Sequence, residues 1–430
     1  MEIEGVVRRP PFGQNPVVGE RGINTHTRIL SAALEAFAEN GFHDTRVEHV
    51  TRRAGCSRPT FYQYFSNKDE VFLALASRLG RLMVDQASGI HEITPDRAGL
   101  EIIRDWLDDF ADLYLEYEPI FTAFSAAIRD HEVLRSGSKG IGERLGAALA
   151  RGVGSGHPDL DTNSVTSVLM TAIVRSNFYG HSQATAIPRD RLTDGLGRTV
   201  HRTLVGPIPG VNVETRSQLR LLRRRTHAPP PRSPVPPTEE APPRSQWQRT
   251  REKLLDAGAR VLPARGYHET RVDDIAETAG VSHGSFYRYF DSKDDLFSAL
   301  AERAAHDMIA LVAELPDIEH IETVRDWLQR WFVTYRTHGG ILSAWQELEF
   351  SDPRLETLAR HTATTVLEQL VTIVDRRGFG DPWVDGLVLL SLIERIPYSV
   401  ITLGHLDETE AIEAMIVIIR RGLMGRSNEA

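Results

Sequence analysis

Residues 54–72 read AGCSRPTFYQYFSNKDEVF, and residues 279–297 read AGVSHGSFYRYFDSKDDLF. Each opens as a tight turn between helices. Gly55 and Gly280 supply the positive φ, Cys56 and Val281 plug the core, and Ser57 and Ser282 cap the helix that follows. That helix is expected over 58–64 and 283–289. Phe61 and Phe65 lie four apart and form its buried stripe, as do Phe286 and Phe290. Tyr62, Tyr64, Tyr287 and Tyr289 are left over. They either face outward as polar-tipped aromatics or pack on neighbouring helices.

Upstream of each stretch the pattern is again helical. Ile29, Leu30, Ala33, Leu34 and Phe37 fall at helical spacing, and Leu254, Leu255, Gly258, Val261 and Leu262 repeat the idea. Gly41 and Gly266 are expected to stop these helices, and Pro263 to shorten or kink the second. A short helix follows. Thr45 with Glu48, and Thr270 with Asp273, have capping-box spacing. Helix, glycine turn and second helix together make a helix-turn-helix unit.

The two stretches belong to a longer repeat. Residues 25–72 align with 250–297 without a gap, with 18 identities in 48 positions. A second block recurs downstream, with RDWL at 104–107 and again at 325–328. The chain is therefore a tandem duplication rather than three unrelated domains, although 430 residues alone suggest about three.

Both stretches resemble the TetR/AcrR family of bacterial transcriptional regulators. That family's signature is Ala-Gly-Val-Ser, a Ser/Thr–apolar–Tyr step, a Tyr/His-Phe pair, then Lys followed by acids. The resemblance implies an all-α fold in two tandem units. Each would have a three-helix DNA-binding head and a helical bundle for a ligand and for dimerisation. The expected boundaries are a flexible arm over 1–24, heads over 25–72 and 247–297, and bundles over 73–205 and 298–425. A linker over 206–246 joins the halves.

The resemblance also assigns roles. The recognition helices carry Arg58, Pro59, Thr60 and Gln63 in the first head, and His283, Gly284, Ser285 and Arg288 in the second. Tyr62 and Tyr287 match a tyrosine that contacts phosphate or base, with Tyr64 and Tyr289 beside them. Lys68 and Lys293 match a lysine that meets a phosphate at the start of the fourth helix. Arg46 and Arg271 stand where the family has Ser or Thr. Cys56 replaces Val and is read as a small core residue.

The linker assignment rests on composition. Ten of the 23 prolines fall between 206 and 246, with seven Arg against three Glu. Such a segment is neither helix nor central strand. At ~3.1 Å per residue, a polyproline stretch of some 20 residues would span ~60 Å. Each half would thus reach a neighbouring half-site about one DNA turn, ~34–36 Å, away. The two halves are expected to pair as an intramolecular pseudo-dimer, or else the full chain dimerises again and presents four heads. Because Arg favours guanine and Gln suits adenine, the half-sites should differ.

Overall charge is −9, which excludes a globally basic nucleic-acid binder but not a local basic face. The first head is neutral, with six basic and six acidic residues, and the second has seven against nine.

In the bundles the aromatics Trp106, Tyr114, Phe121 and Phe178, and then Trp327, Trp331, Tyr335, Trp345 and Tyr398, are either core or the lining of an apolar effector pocket. His131, Arg175, His181, Glu394 and Arg395 are either polar anchors of that pocket or ordinary paired groups.

An enzyme is disfavoured. There is no Gly-x-Ser-x-Gly elbow and no His-Glu-x-x-His, and the 16 histidines show no metal spacing. GVGSG at 152–156 and SGSKGIG at 136–142 read as helix connections rather than phosphate loops. A single cysteine excludes an internal disulfide and a multi-cysteine metal site. No cofactor is expected. No apolar run of signal-peptide or membrane-spanning type occurs, so a cytoplasmic location is expected. The rival to a DNA-binding regulator released by an apolar effector is a ligand or protein scaffold of the same fold that has lost DNA.

Overall fold

The structure is a computed structural model. It describes residues 20–90, 92–130, 132–153, 162–181, 187–208, 246–265, 267, 269–348, 353–376, 380–404 and 406–425. The linker core and the N-terminal arm up to residue 19 lie outside them. Among the described residues there are helices and turns and no strand.

The first head is α1 (Glu20–Asp44), α2 (Val47–Ala54), α3 (Arg58–Tyr62) and the start of α4 (Lys68–Ser88). Next come α5 (Arg97–Glu116), α6 (Glu118–Asp130), α7 (Glu132–Val153), α8 (Thr162–His181) and α9 (Arg189–Val205). The second head is α10 (Gln246–Arg265), α11 (Val272–Ala279), α12 (His283–Phe286) and the start of α13 (Lys293–Ala313). It is followed by α14 (Ile321–Leu348), α15 (Pro353–Asp375), α16 (Pro382–Tyr398) and α17 (Glu408–Val417). The last helix continues as a wider π turn over Ile418–Leu423.

Several local expectations change. α10 runs through Pro263 to Arg265 without shortening. SGSKGIG at 136–142 is not a connection but the interior of α7. Glycine costs about 1 kcal/mol in a helix, and α7 recovers that by burying Leu134, Leu145, Ala148 and Leu149. GVGSG ends α7 with its first two residues, and the rest lies outside the described residues.

The chain forms two compact units: residues 1–90 with 108–149, and residues 91–107 with 150–430. In the first, Ile29, Ala33, Phe37, Phe61 and Phe72 form the core of the head. In the second, Leu254, Ala257, Phe286, Phe297 and Leu300 do the same work for the other head.

The second unit also contains a four-helix packing of α8 and α9 against α16 and α17. Its seam holds polar pairs. The Arg175 Nε donates to Glu394 Oε2 at 2.9 Å, and the Tyr179 hydroxyl donates to the same oxygen at 2.6 Å. Arg191 Nη2 donates to Asp381 Oδ1 at 2.8 Å, and Thr199 Oγ1 to Asp385 Oδ1 at 3.3 Å. Burial pushes the Glu394 carboxyl up, but the Arg175 guanidinium and the Tyr179 hydroxyl outweigh it and hold the group below its ordinary range. Arg175 and Glu394 thus satisfy each other; they do not stand free as anchors in a pocket.

Candidate nucleic-acid interface

In each head the turn is built as the sequence implies. Gly55 has φ 58° and Gly280 φ 67°, the left-handed region that glycine enters freely. Ser57 Oγ accepts the Thr60 N–H at 3.2 Å, and Ser282 Oγ accepts that of Ser285 at 3.2 Å. The helices that follow the turns, α3 and α12, are shorter than expected. Gln63 N–H and Tyr64 N–H bond back to Thr60 O and Phe61 O, and Arg288 and Tyr289 do likewise to Ser285 O and Phe286 O. These three-residue steps close the helix as a turn.

The cap of α2 also differs. Thr45 does not cap it. Its side chain is buried and donates to Ala36 O at 3.0 Å and Gly41 O at 2.6 Å, pinning the end of α1. The N-cap is Arg46, whose own N–H is accepted by His49 Nδ1 at 3.4 Å. In the second head the N-cap is Arg271, whose N–H goes to Asp274 Oδ2 at 2.9 Å. Thr270, like Thr45, is buried.

Arg46, Arg58, Pro59, Tyr62 and Gln63 are exposed in the first head, and Arg271, His283, Gly284, Tyr287 and Arg288 in the second. Tyr62 and Tyr287 are about half exposed, at 55% and 49%. A phenol left in solvent at both equivalent sites has its hydroxyl available to a phosphate. Thr60 and Ser285 are half-buried, each sharing a hydroxyl contact with the capping serine.

Tyr64 and Tyr289 are not outward. Tyr64 lies 6.3 Å from the His26 ring and Tyr289 5.5 Å from the Trp247 ring, so both pack on the first helix of their head. Lys68 Nζ donates to Phe42 O at 2.7 Å and His43 O at 2.6 Å, and Lys293 Nζ to Tyr267 O at 2.7 Å and Thr270 O at 3.0 Å. Burial pushes both amines down, partly offset by neighbouring acids. Each lysine spends two of its three protons on backbone carbonyls, in the last turn of α1 for Lys68 and just beyond α10 for Lys293.

Two acid–base contacts escape a reading of the helix after the turn alone. Arg58 lies against Glu48, and His283 against Asp273, one residue pair in each head at equivalent positions. The signal was present in the repeat: an acid and a base ten residues apart, twice. Cys56 is half-buried, and burial pushes its thiol up against the opposing pull of Arg28. A thiol raised in this way is a poor nucleophile.

Of the bundle aromatics, Trp106 and Tyr114 are buried, and Tyr114 stacks on Phe121 at 4.8 Å. Phe178 lies under the Arg175 guanidinium at 4.0 Å. Trp327 and Trp331 stack at 5.2 Å and donate their indole N–H groups to Leu311 O and Ile393 O at 2.8 and 2.7 Å. Tyr335 and Tyr398 are buried, and the Tyr335 hydroxyl has no hydrogen-bond partner among the described residues. The side chain of Trp345, and His131, lie outside the described residues. A cavity of about 10 Å³ beside Trp327, Leu370 and Met415 has room for one water-sized body. No group of three metal-ligating side chains occurs among the described residues.

With this geometry in view, the sequence profile described as "Bacterial regulatory proteins, tetR family" matches residues 29–75 and 254–300. Two segments of the chain, in tandem, thus match this family's profile.

Individual relatives agree. An uncharacterized HTH-type transcriptional regulator of Bacillus subtilis is 38% identical over 55 residues, covering 13% of this chain and 28% of its own. The fatty acid metabolism regulator protein of B. subtilis is 29% identical over 79 residues, 18% of this chain and 41% of its own. The HTH-type transcriptional regulator TtgR of Pseudomonas putida is 36% identical over 76 residues, 17% and 36%. The chain thus spans less than half the length of these curated relatives. Among solved structures, FadR from B. subtilis in complex with stearoyl-CoA aligns at 19% identity and TM-score 0.34, over 41% of this chain and 99% of that one. Among the described residues, no helix is long and apolar enough to cross a membrane.

Proposed function

We propose that the chain is a sequence-specific DNA-binding transcriptional regulator in which both TetR heads read DNA. One observation carries this reading. At equivalent places in both heads, a half-exposed tyrosine stands beside exposed side chains suited to base edges, on a helix held by a serine cap and a glycine turn. A tyrosine exposed at both equivalent positions presents its hydroxyl where a phosphate backbone can accept from it. Arg58 and Gln63 are the base-reading groups of the first head, His283 and Arg288 those of the second. Lys68 and Lys293 keep one proton each for phosphate.

The bundles supply pairing and response. The two halves act as a pseudo-dimer within one chain, supported by the packing of α8 and α9 on α16 and α17. A small apolar effector releases the DNA, so the regulator is a repressor. The buried hydroxyl of Tyr335 is the polar group that such an effector would meet in the second bundle.

A gel shift with the DNA flanking the chain's own coding sequence tests the first statement. Binding that is lost with Tyr62→Ala and Tyr287→Ala together is the expected result. No shift with any flanking DNA would favour a scaffold without DNA. Sedimentation tests the second. A free species of one chain, 48.1 kDa, is expected, and a species of twice that mass would sink the pseudo-dimer.

A further inference from the structure

The seam between α8–α9 and α16–α17 relates two copies of one ancestral helix pair. Helix α9 begins at Arg189 and α17 at Glu408, 219 residues apart, and Tyr179 and Tyr398 fall at the same separation. In a two-fold arrangement, only residues on the axis meet their own counterparts. Two such meetings occur among the described residues. Arg175 pairs with Glu394, its counterpart 219 residues on. Thr203 faces Gly422, again its counterpart.

We propose that this interface accepts only unlike halves: the first half's α8–α9 seats the second half's α16–α17 and rejects a copy of itself. The proposal deepens the pseudo-dimer reading and rests on it. Consider the first half against itself. Arg175 would meet Arg175 in a site where its side chain is only 17% exposed, with no counter-charge. Thr203 would meet Thr203, where a Cβ on the facing residue already collides with the threonine hydroxyl and crowds Thr199 Cγ2 at 3.1 Å. The second half against itself fails differently. Glu394 would meet Glu394, and two facing glycines would leave a gap.

The flanking pairs agree. Arg191 bonds Asp381, and Arg202 lies 4.0 Å from Asp385. At the same register the counterparts of Asp381 and Asp385 are Thr162 and Thr166, and that of Arg191 is Glu410. Pairing of first halves would set Arg191 and Arg202 against threonines. Pairing of second halves would set Asp381 against Glu410, although Asp385 would keep an arginine, because the counterpart of Arg202 is Arg421. Charge and size at the axis thus oppose both like pairings, while the rim leaves first halves without counter-charges and opposes second halves at Asp381 only. In consequence every assembled pair holds one head of each kind, so a site made of two identical half-sites is never matched by two identical heads.

The test uses the full chain with a protease site placed between residues 209 and 245, cleaved after purification. Native mass spectrometry of the cleaved protein is expected to give one first half bound to one second half. Mixing with an isotopically labelled cleaved sample should exchange partners only between unlike halves. Like–like pairs in comparable amount would overturn the proposal. In the uncleaved chain, Glu394→Arg should lower the melting temperature and, after cleavage, weaken association more than about 100-fold. Arg175→Glu combined with Glu394→Arg should restore most of it. Failure of the double reversal to restore association would overturn the proposal even where the single variant does not fold. An uncleaved species of two chains, with cleaved halves still pairing only as unlikes, would sink the intramolecular reading and leave this one standing.

Discussion

The Arg58 guanidinium lies against the Glu48 carboxylate, one helix earlier in the same head. To meet a guanine edge, Arg58 must leave that partner. Both side chains are about half exposed, so the pair itself adds at most about 1 kcal/mol to stability. Its effect falls on DNA. Glu48→Gln should remove a negative charge beside the phosphates and free Arg58. Affinity is expected to rise several-fold, while the melting temperature moves by only a few degrees. Arg58→Ala should instead weaken binding by about 1–3 kcal/mol at one half-site and relax its base preference. Titrations of labelled duplex at fixed salt would check both. An unchanged affinity in Glu48→Gln would show that the pair does not restrain the arginine.

Tyr62 and Lys68 separate binding from folding. Tyr62 is exposed, and its loss should cost DNA affinity for all sequences alike without changing thermal stability. Lys68 holds Phe42 O and His43 O, each through a charged hydrogen bond. Lys68→Ala should therefore destabilise the first head by about 2 kcal/mol, after allowance for its partial exposure. Denaturation of both variants beside their DNA titrations distinguishes the two roles. A Lys68→Ala variant with full stability and lost binding would make the lysine a phosphate contact first.

How much of this was legible in the sequence depends on how far apart the deciding groups lie. The turn at Gly55 and the cap at Ser57 could be read because each acts within three or four residues. The role of Thr45 could not: its acceptors, Ala36 O and Gly41 O, are backbone groups of the preceding helix, and nothing in the residue types distinguishes a pin from a cap. The lysines were hidden for the same reason, since Lys68 reaches back 25 and 26 residues. Arg175 and Glu394 are 219 residues apart, and only the repeat register brings them together. Trp327 and Trp331 fit a core or a pocket equally by spacing, and only their bonds to Leu311 O and Ile393 O show how their polar edges are satisfied.

The two reading surfaces predict unlike half-sites. The first presents Arg58, Pro59 and Gln63, the second His283, Gly284 and Arg288, with Gln63 and Arg288 at equivalent positions. Glutamine suits adenine and arginine suits guanine, so that step should differ between half-sites. Selection from random duplexes should yield an imperfect palindrome. Gln63→Arg should then shift the selected pool toward symmetry at that step. A perfect palindrome as the tightest site of the unaltered chain would count against the assignment.

The buried Tyr335 hydroxyl carries a stability cost, because nothing among the described residues accepts from it or donates to it. Burial also pushes its ionisation far up, so it stays neutral at any working pH. Tyr335→Phe removes the unmet group at constant shape and should raise stability by about 1 kcal/mol or more. Thermal denaturation of the full chain reads this directly. A lower melting temperature would mean that the hydroxyl is held by a partner in solution.

His201 predicts the acid side of the stability profile. It is buried, and its Nε2 lies 2.9 Å from Thr94 O. Burial pushes its pKa down, more than the bonds to Thr94 and Gly206 raise it. The folded value therefore lies below the unfolded value of about 6.5. As pH falls through that value, the unfolded chain takes up the proton first. Stability conferred by neutral His201 is thus fully present above about pH 6.5 and declines below it. His26, His181 and His338 are shifted the same way, each chiefly by burial, so their slopes add. Urea midpoints taken between about pH 7.5 and about pH 5.5 should fall steadily. His201→Gln should lower stability at the upper end yet flatten the slope. An unaltered slope would assign the pH dependence to the other three histidines.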